Sequence, residues 1–119
     1  MRIELTRDSV AMGDDADAPH TSSLEVPQDA SVRQALAAIG VPRAYLATIM
    51  SDRATWIARA GDGTALAVVA QQWPEPRLLP AGEGPLARFA DPAGTVRLDF
   101  EYRQQNDPDA EYERLAQQG

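Results

Sequence analysis

The sequence predicts a single α+β domain in which four or five strands form a sheet on one main helix, followed by a short C-terminal helix. Three observations lead there. Apolar and polar residues alternate near both ends of the chain, in Met1 to Val10 and in Thr95 to Arg103, which is the period of a half-buried strand. Between them Val32, Ala35, Leu36 and Ile39 recur at the spacing of one helical face. Gly61-Asp62-Gly63 then interrupts a strongly apolar stretch, and an Asp-Gly step tolerates the positive φ of a tight hairpin.

In the first strand Ile3 and Leu5 share one side, with Arg2, Glu4 and Thr6 on the other. Ala11 to Thr21 has small residues, Gly, Asp and Pro without periodicity and reads as a long loop. Ser22 to Val26 resumes the alternation through Leu24 and Val26, completing a wide-tipped hairpin. The helix follows over residues 32–40. Ser31 and Gln34 stand three apart, so the hydroxyl and the amide can each serve a backbone donor of the first turn. Gly40 suits the residue past the last turn, and Pro42 stops continuation.

Arg43 to Met50 fits a short helix or a strand equally. Ala54 to Arg59 and Thr64 to Gln72 are the arms of the second hairpin, with Trp56 as a core residue. Trp73-Pro74-Glu75-Pro76 cannot sustain a ladder, because proline has no backbone donor. Arg77 to Leu79 reads as a brief edge strand, Pro80 to Gly84 as a turn, and Pro85 to Phe89 as one helical turn. In the last strand Val96, Leu98, Phe100 and Tyr102 form the core side. Asp107-Pro108 supplies an N-cap and a first-turn proline for a helix over Asp109 to Gln117, docked through Tyr112 and Leu115 or Ala116.

Composition bounds the chemistry. At 119 residues, with 44% apolar and 24% charged, the chain has room for one core. Its net charge of -7 repels phosphate backbones and anionic lipid, so neither nucleic acid nor membrane is an expected partner. No apolar run approaches the ~20 residues of a spanning helix and Met1 opens no basic-then-apolar leader, so the cytoplasm is the expected compartment. Cysteine and lysine are both absent. That excludes a thiolate nucleophile, a Cys-based metal site, a side-chain Schiff base and a Walker phosphate loop. Abundant alanine and arginine point to GC-rich codon usage as the reason for the missing lysine.

His20 is the lone histidine, and no Gly-x-Ser-x-Gly elbow places it beside Ser9, Ser22, Ser23, Ser31 or Ser51 as in a hydrolase. Asp14, Asp15, Asp17 and His20 are ligand types for a divalent cation. Their spacing lacks the alternate acids, sixth-position glycine and distant glutamate of an EF-hand, so a solvated acidic loop is expected, with no metal and no cofactor.

The stretches Met1-Arg2-Ile3-Glu4-Leu5, Ser23-Leu24-Glu25-Val26-Pro27 leading through Asp29 into the capped helix, and Pro85-Leu86-Ala87-Arg88-Phe89 before the last strand together resemble the β-grasp fold of ubiquitin-like proteins. The resemblance implies a mixed sheet whose first and last strands lie parallel at its centre. It also implies that Arg2 and Glu4 stand near Arg97, Asp99 or Glu101, where opposite charges support one another. Ubiquitin-like modifiers and sulfur carriers expose a C-terminal Gly-Gly, whereas Ala116-Gln117-Gln118-Gly119 follows a helix here, so no conjugated or thiocarboxylated role is expected.

The functional expectation is a non-enzymatic module that binds another protein, a basic one in particular, or a second copy of itself. The partner-binding candidates are Trp73 and Glu75 in the proline-broken segment and Asp107, Asp109, Glu111 and Glu113 on the terminal helix. Each has a plainer alternative: Trp73 closes the core beside Leu78 and Leu79, and the acids form a solvated helix face. Two other readings stand behind the first. One is an acidic immunity or antitoxin protein covering a basic toxin. The other, further back, is a metal-dependent enzyme around Asp14 to His20.

Overall fold

A computed structural model of the chain describes residues 1–7, 21–39, 55–71, 73–103 and 107–118. The Asp14 to His20 loop and Arg43 to Met50 lie outside the described residues. The strands are β1 (Arg2–Arg7), β2 (Thr21–Glu25), β3 (Thr55–Ala60), β4 (Ala65–Ala70), β5 (Arg77–Leu78) and β6 (Thr95–Tyr102). The helices are α1 (Val32–Ile39) and α2 (Pro108–Gln118). The class is α+β as expected, but among the described residues the sheet has six strands rather than four or five, in the order β2-β1-β6-β3-β4-β5. β5, expected as a brief edge strand over Arg77 to Leu79, forms over two residues that add to β4 opposite Ala67 and Val68.

β1 and β6 run parallel at the middle of the sheet, with Ile3 opposite Val96 and Leu5 opposite Leu98. The neighbouring pairs β1–β2, β3–β6, β3–β4 and β4–β5 are antiparallel. The charge pairing expected across the centre is present on the outer side of this pair. Glu4 lies 3.6 Å from Arg2 and 3.8 Å from Arg97, and the Thr6 hydroxyl donates to the Asp99 carboxylate.

α1 forms where the periodicity places it and buries the expected stripe of Val32, Ala35, Leu36 and Ile39. The Ser31 backbone N–H donates to the Gln34 side-chain oxygen at 2.9 Å, and the Gln34 N–H donates to the Ser31 hydroxyl at 3.1 Å, so two helix-end donors are satisfied reciprocally. The buried stripe meets Ile3, Leu5, Trp56, Ala58, Val96, Leu98 and Phe100 on one face of the sheet. A 3-10 turn at Leu86–Phe89 stands where one helical turn was expected, and the Leu86 N–H binds the Ala30 carbonyl at 3.0 Å to tie the turn to the entry of α1.

The second hairpin turns at Gly61-Asp62-Gly63. Gly63 takes φ +92°, a region open to glycine at little steric cost, and its N–H binds the Ala60 carbonyl at 2.8 Å. The ladder slips by a residue between Ala58 and Arg59, a bulge that twists this end of the hairpin.

The expectation of a single helix packed on the sheet holds for one face. α2 covers the other face, over β3 and β4, where Ile57, Val68, Leu79 and Leu115 make a second apolar cluster. Alternation along β3 explains the division: Trp56 and Ala58 face α1, while Ile57 between them faces α2. Asp107 caps α2 as expected, its carboxylate accepting the Asp109 N–H at 3.1 Å.

Candidate interaction surface at the β5 edge

Trp73 follows the end of β4, its N–H bonded to the Ala70 carbonyl at 3.1 Å, and the chain bends through Trp73, Pro74 and Glu75 before β5. This segment wraps the sheet edge, because its residues serve both faces. The Trp73 ring is half-buried against the α2-side cluster, which agrees with its reading as a closure of the core near Leu79. Its outer surface is covered by Arg77, whose guanidinium carbon lies 4.1 Å from the ring centre. The same guanidinium donates to the Asp109 carboxylate at 2.7 Å. Arg77 thus joins two of the predicted residues, Trp73 and Asp109, through a cation–π contact and a charge-assisted hydrogen bond.

Glu75 is exposed and faces the other way, 3.9 Å from Arg33 on α1. Between α1 and this segment lies a groove of about 200 Å³. Leu36, Ala37 and Leu78 form its apolar side, Pro74 and Pro76 its opposite wall, and Arg33 and Glu75 its charged rim. A groove of that size admits one large apolar side chain, with a charge of either sign available beside it.

The acidic residues of α2 separate into different roles. Asp107 is committed to capping and Asp109 to Arg77. Glu111 turns inward and is 6% exposed. Its carboxylate lies 3.4 Å from Arg103 and 2.5 Å from Arg114, fastening α2 to the end of β6 rather than facing a partner. Glu113 remains exposed, without an ion pair among the described residues. The predicted set is therefore not one acidic face: Trp73 and Asp109 meet through Arg77, Glu75 stands across the edge, and Glu111 is withdrawn.

The sequence reading missed Arg77, Arg33 and Arg103. Arg33 sits on the polar side of α1, a position that periodicity identifies as exposed without saying what it will meet. Arg77 lacks even that signal, since its partners come from a loop and from a helix 32 residues away. Tyr112 was expected as an apolar contact, and its hydroxyl in addition donates to the Leu78 carbonyl at 2.9 Å, closing off part of the β5 edge.

Among the described residues no helix is long and apolar enough to cross a membrane, and no three His, Asp or Glu side chains gather as a metal cluster would. Comparison with protein-family models, with curated proteins and with solved structures returns no match.

Proposed function

We propose that this chain is a non-enzymatic protein-interaction module on a β-grasp scaffold, with the β5 edge as its contact surface for another protein. The strand order with parallel β1 and β6 at the centre and α1 across one face supports the scaffold. The observation that carries the binding reading is that one sheet edge holds the Trp73–Arg77–Asp109 stack on its α2 side and the groove rimmed by Arg33 and Glu75 on its α1 side. Tryptophan and arginine are among the residue types most enriched where binding energy concentrates, and a preformed apolar groove across the same edge supplies a seat for an anchoring side chain. The net charge of -7 favours a basic partner through steering of the encounter. That charge also supports the second reading, an acidic immunity or antitoxin protein that neutralises a basic toxin.

Affinity capture followed by calorimetry with each purified candidate tests the proposal. A genuine partner binds the unaltered chain, weakens with Glu75→Arg, and weakens further with Trp73→Ala. Because Glu75 is exposed and outside the core, its substitution leaves the fold intact. Equal recovery of every partner by all three proteins removes the β5 edge from the reading.

A further inference from the structure

We infer that the outer edge of β2 is a pairing edge for a second copy of this chain. The direction of the backbone groups follows from the bonds at the start of the hairpin. The Met1 amine donates to the Val26 carbonyl at 2.7 Å, and the Val26 N–H returns a bond to Met1 at 2.9 Å. Facing pairs alternate in an antiparallel ladder, so Leu24 and Ser22 also turn their backbone groups towards β1. Thr21, Ser23 and Glu25 turn theirs away from it. β2 ends the sheet, and no described strand lies beyond it.

The two edges of the sheet are built differently. β5 is two residues long, is bracketed by Pro76 and Pro80, and has its Leu78 carbonyl occupied by the Tyr112 hydroxyl. β2 is five residues long, without proline and with one charged residue, Glu25. Unprotected edges invite strand addition, and proteins ordinarily blunt them.

The sequence of β2 identifies a second copy as the occupant. An antiparallel two-fold pairing about Ser23 sets Ser23 against Ser23 and Thr21 against Glu25, so every outward residue of both strands finds a partner. The two Glu25 side chains then stand about 14 Å apart along the ladder, beyond the Debye length of about 8 Å at physiological salt. Setting Glu25 against Glu25 instead would oppose like charges and pair only the strand ends. The chosen register also makes the two Leu24 side chains diagonal neighbours on the α1 side, where each is only half-buried in a single copy.

Each copy has a net charge of -7, so the bodies repel while the edges pair. Self-association through β2 therefore tightens as salt is added, whereas a foreign basic strand on the same edge would be released by salt. Sedimentation equilibrium of the whole chain across concentration and salt reads this sign. Ser23→Pro deletes an outward donor from each copy and leaves the bonds to β1 in place, so it weakens the dimer at least about tenfold without changing the circular dichroism. Hydrogen exchange on the unaltered chain gives a reading that does not depend on a proline variant. The Ser23 and Glu25 amides gain protection as concentration rises from micromolar to millimolar, while the Leu24 amide does not change. A chain that remains monomeric over that range, a dimer that weakens with salt, or one that leaves the Ser23 and Glu25 amides unprotected overturns the inference. So does a folded Ser23→Pro chain that dimerises as before.

Discussion

Two side chains show how much a single residue decides here. Ser31 and Gln34 complete each other's bonds at the start of α1, so Ser31→Ala is expected to lower the unfolding free energy by about 1 kcal/mol. Urea denaturation of that variant, of Gln34→Ala and of the double variant checks it: the double change costs less than the sum of the two single ones. Asp62 accepts first from the Thr64 backbone N–H and then from the Thr64 hydroxyl, which holds its carboxyl below the usual 3.8. Its contribution to the hairpin is present above the ordinary aspartate value and is lost as pH falls through its own lower one. Carbon-detected titration is expected to show this depression, with Thr64→Val recovering only part of it because the backbone donor remains. Both features are local, three and two residues apart, and both segments were marked by their sequence for that reason. Glu111 had no such mark. Its burial depends on Arg103 arriving from β6, and a run of acids on a helix reads as solvated until that arrival is known.

Among the elements, those with a full period of pattern were legible in position and in partner, and those shorter than a period were legible only as an edge strand or a turn, without what they would pack on. α1 repeats its apolar stripe through two turns and β6 alternates over eight residues, and both appear where expected. β5 offers two residues, too few for any period, and its pairing is decided by β4. The same holds for the 3-10 turn at Pro80–Gly82. A glycine within a Pro-Ala-Gly turn suggests only a bend, yet a Cβ on Gly82 would lie 2.1 Å from the Leu66 carbonyl oxygen. That atom belongs to the backbone of β4 and has no room to retreat, so Gly82→Ala pushes the turn away from the sheet and takes Leu79 with it. The expected cost is about 1–3 kcal/mol or more, read as a lower midpoint in thermal unfolding. Gly82→Ser behaves likewise, because the added carbon and not its polarity is the obstacle.

At the scale of the whole molecule, the described residues form two apolar clusters divided by one sheet, and each has one tryptophan against it: Trp56 on the α1 side and Trp73 on the α2 side. Because β3 and β4 belong to both clusters, neither can be lost while the other remains. Single-tryptophan variants, Trp73→Phe and Trp56→Phe, each report one side. Within either variant, fluorescence and circular dichroism are expected to give one coincident denaturation midpoint. Adding Leu98→Ala should lower stability by about 2–5 kcal/mol and move both signals together. A midpoint for Trp73 fluorescence below that of the circular dichroism would show α2 leaving the sheet by itself. At this scale the resemblance supplied the parallel centre, whereas the face taken by α2 was out of reach. Tyr112, Leu115 and Ala116 reveal which side of the helix is apolar, but not on which side of the sheet it will lie.

The parallel pairing of β1 and β6 also governs how the domain bears load. The start of β1 and the end of β6 lie at opposite ends of a ladder in register from Arg2 to Arg7. A pull applied at those two points slides the strands lengthwise, so the rungs share the force and must yield together. Tension between the start of β3 and the end of β4, which lie side by side at the open end of their hairpin, opens its ladder one rung at a time. Stretched along the first direction in an optical trap, the molecule should resist and then rupture abruptly; along the second it should unzip gradually at lower force.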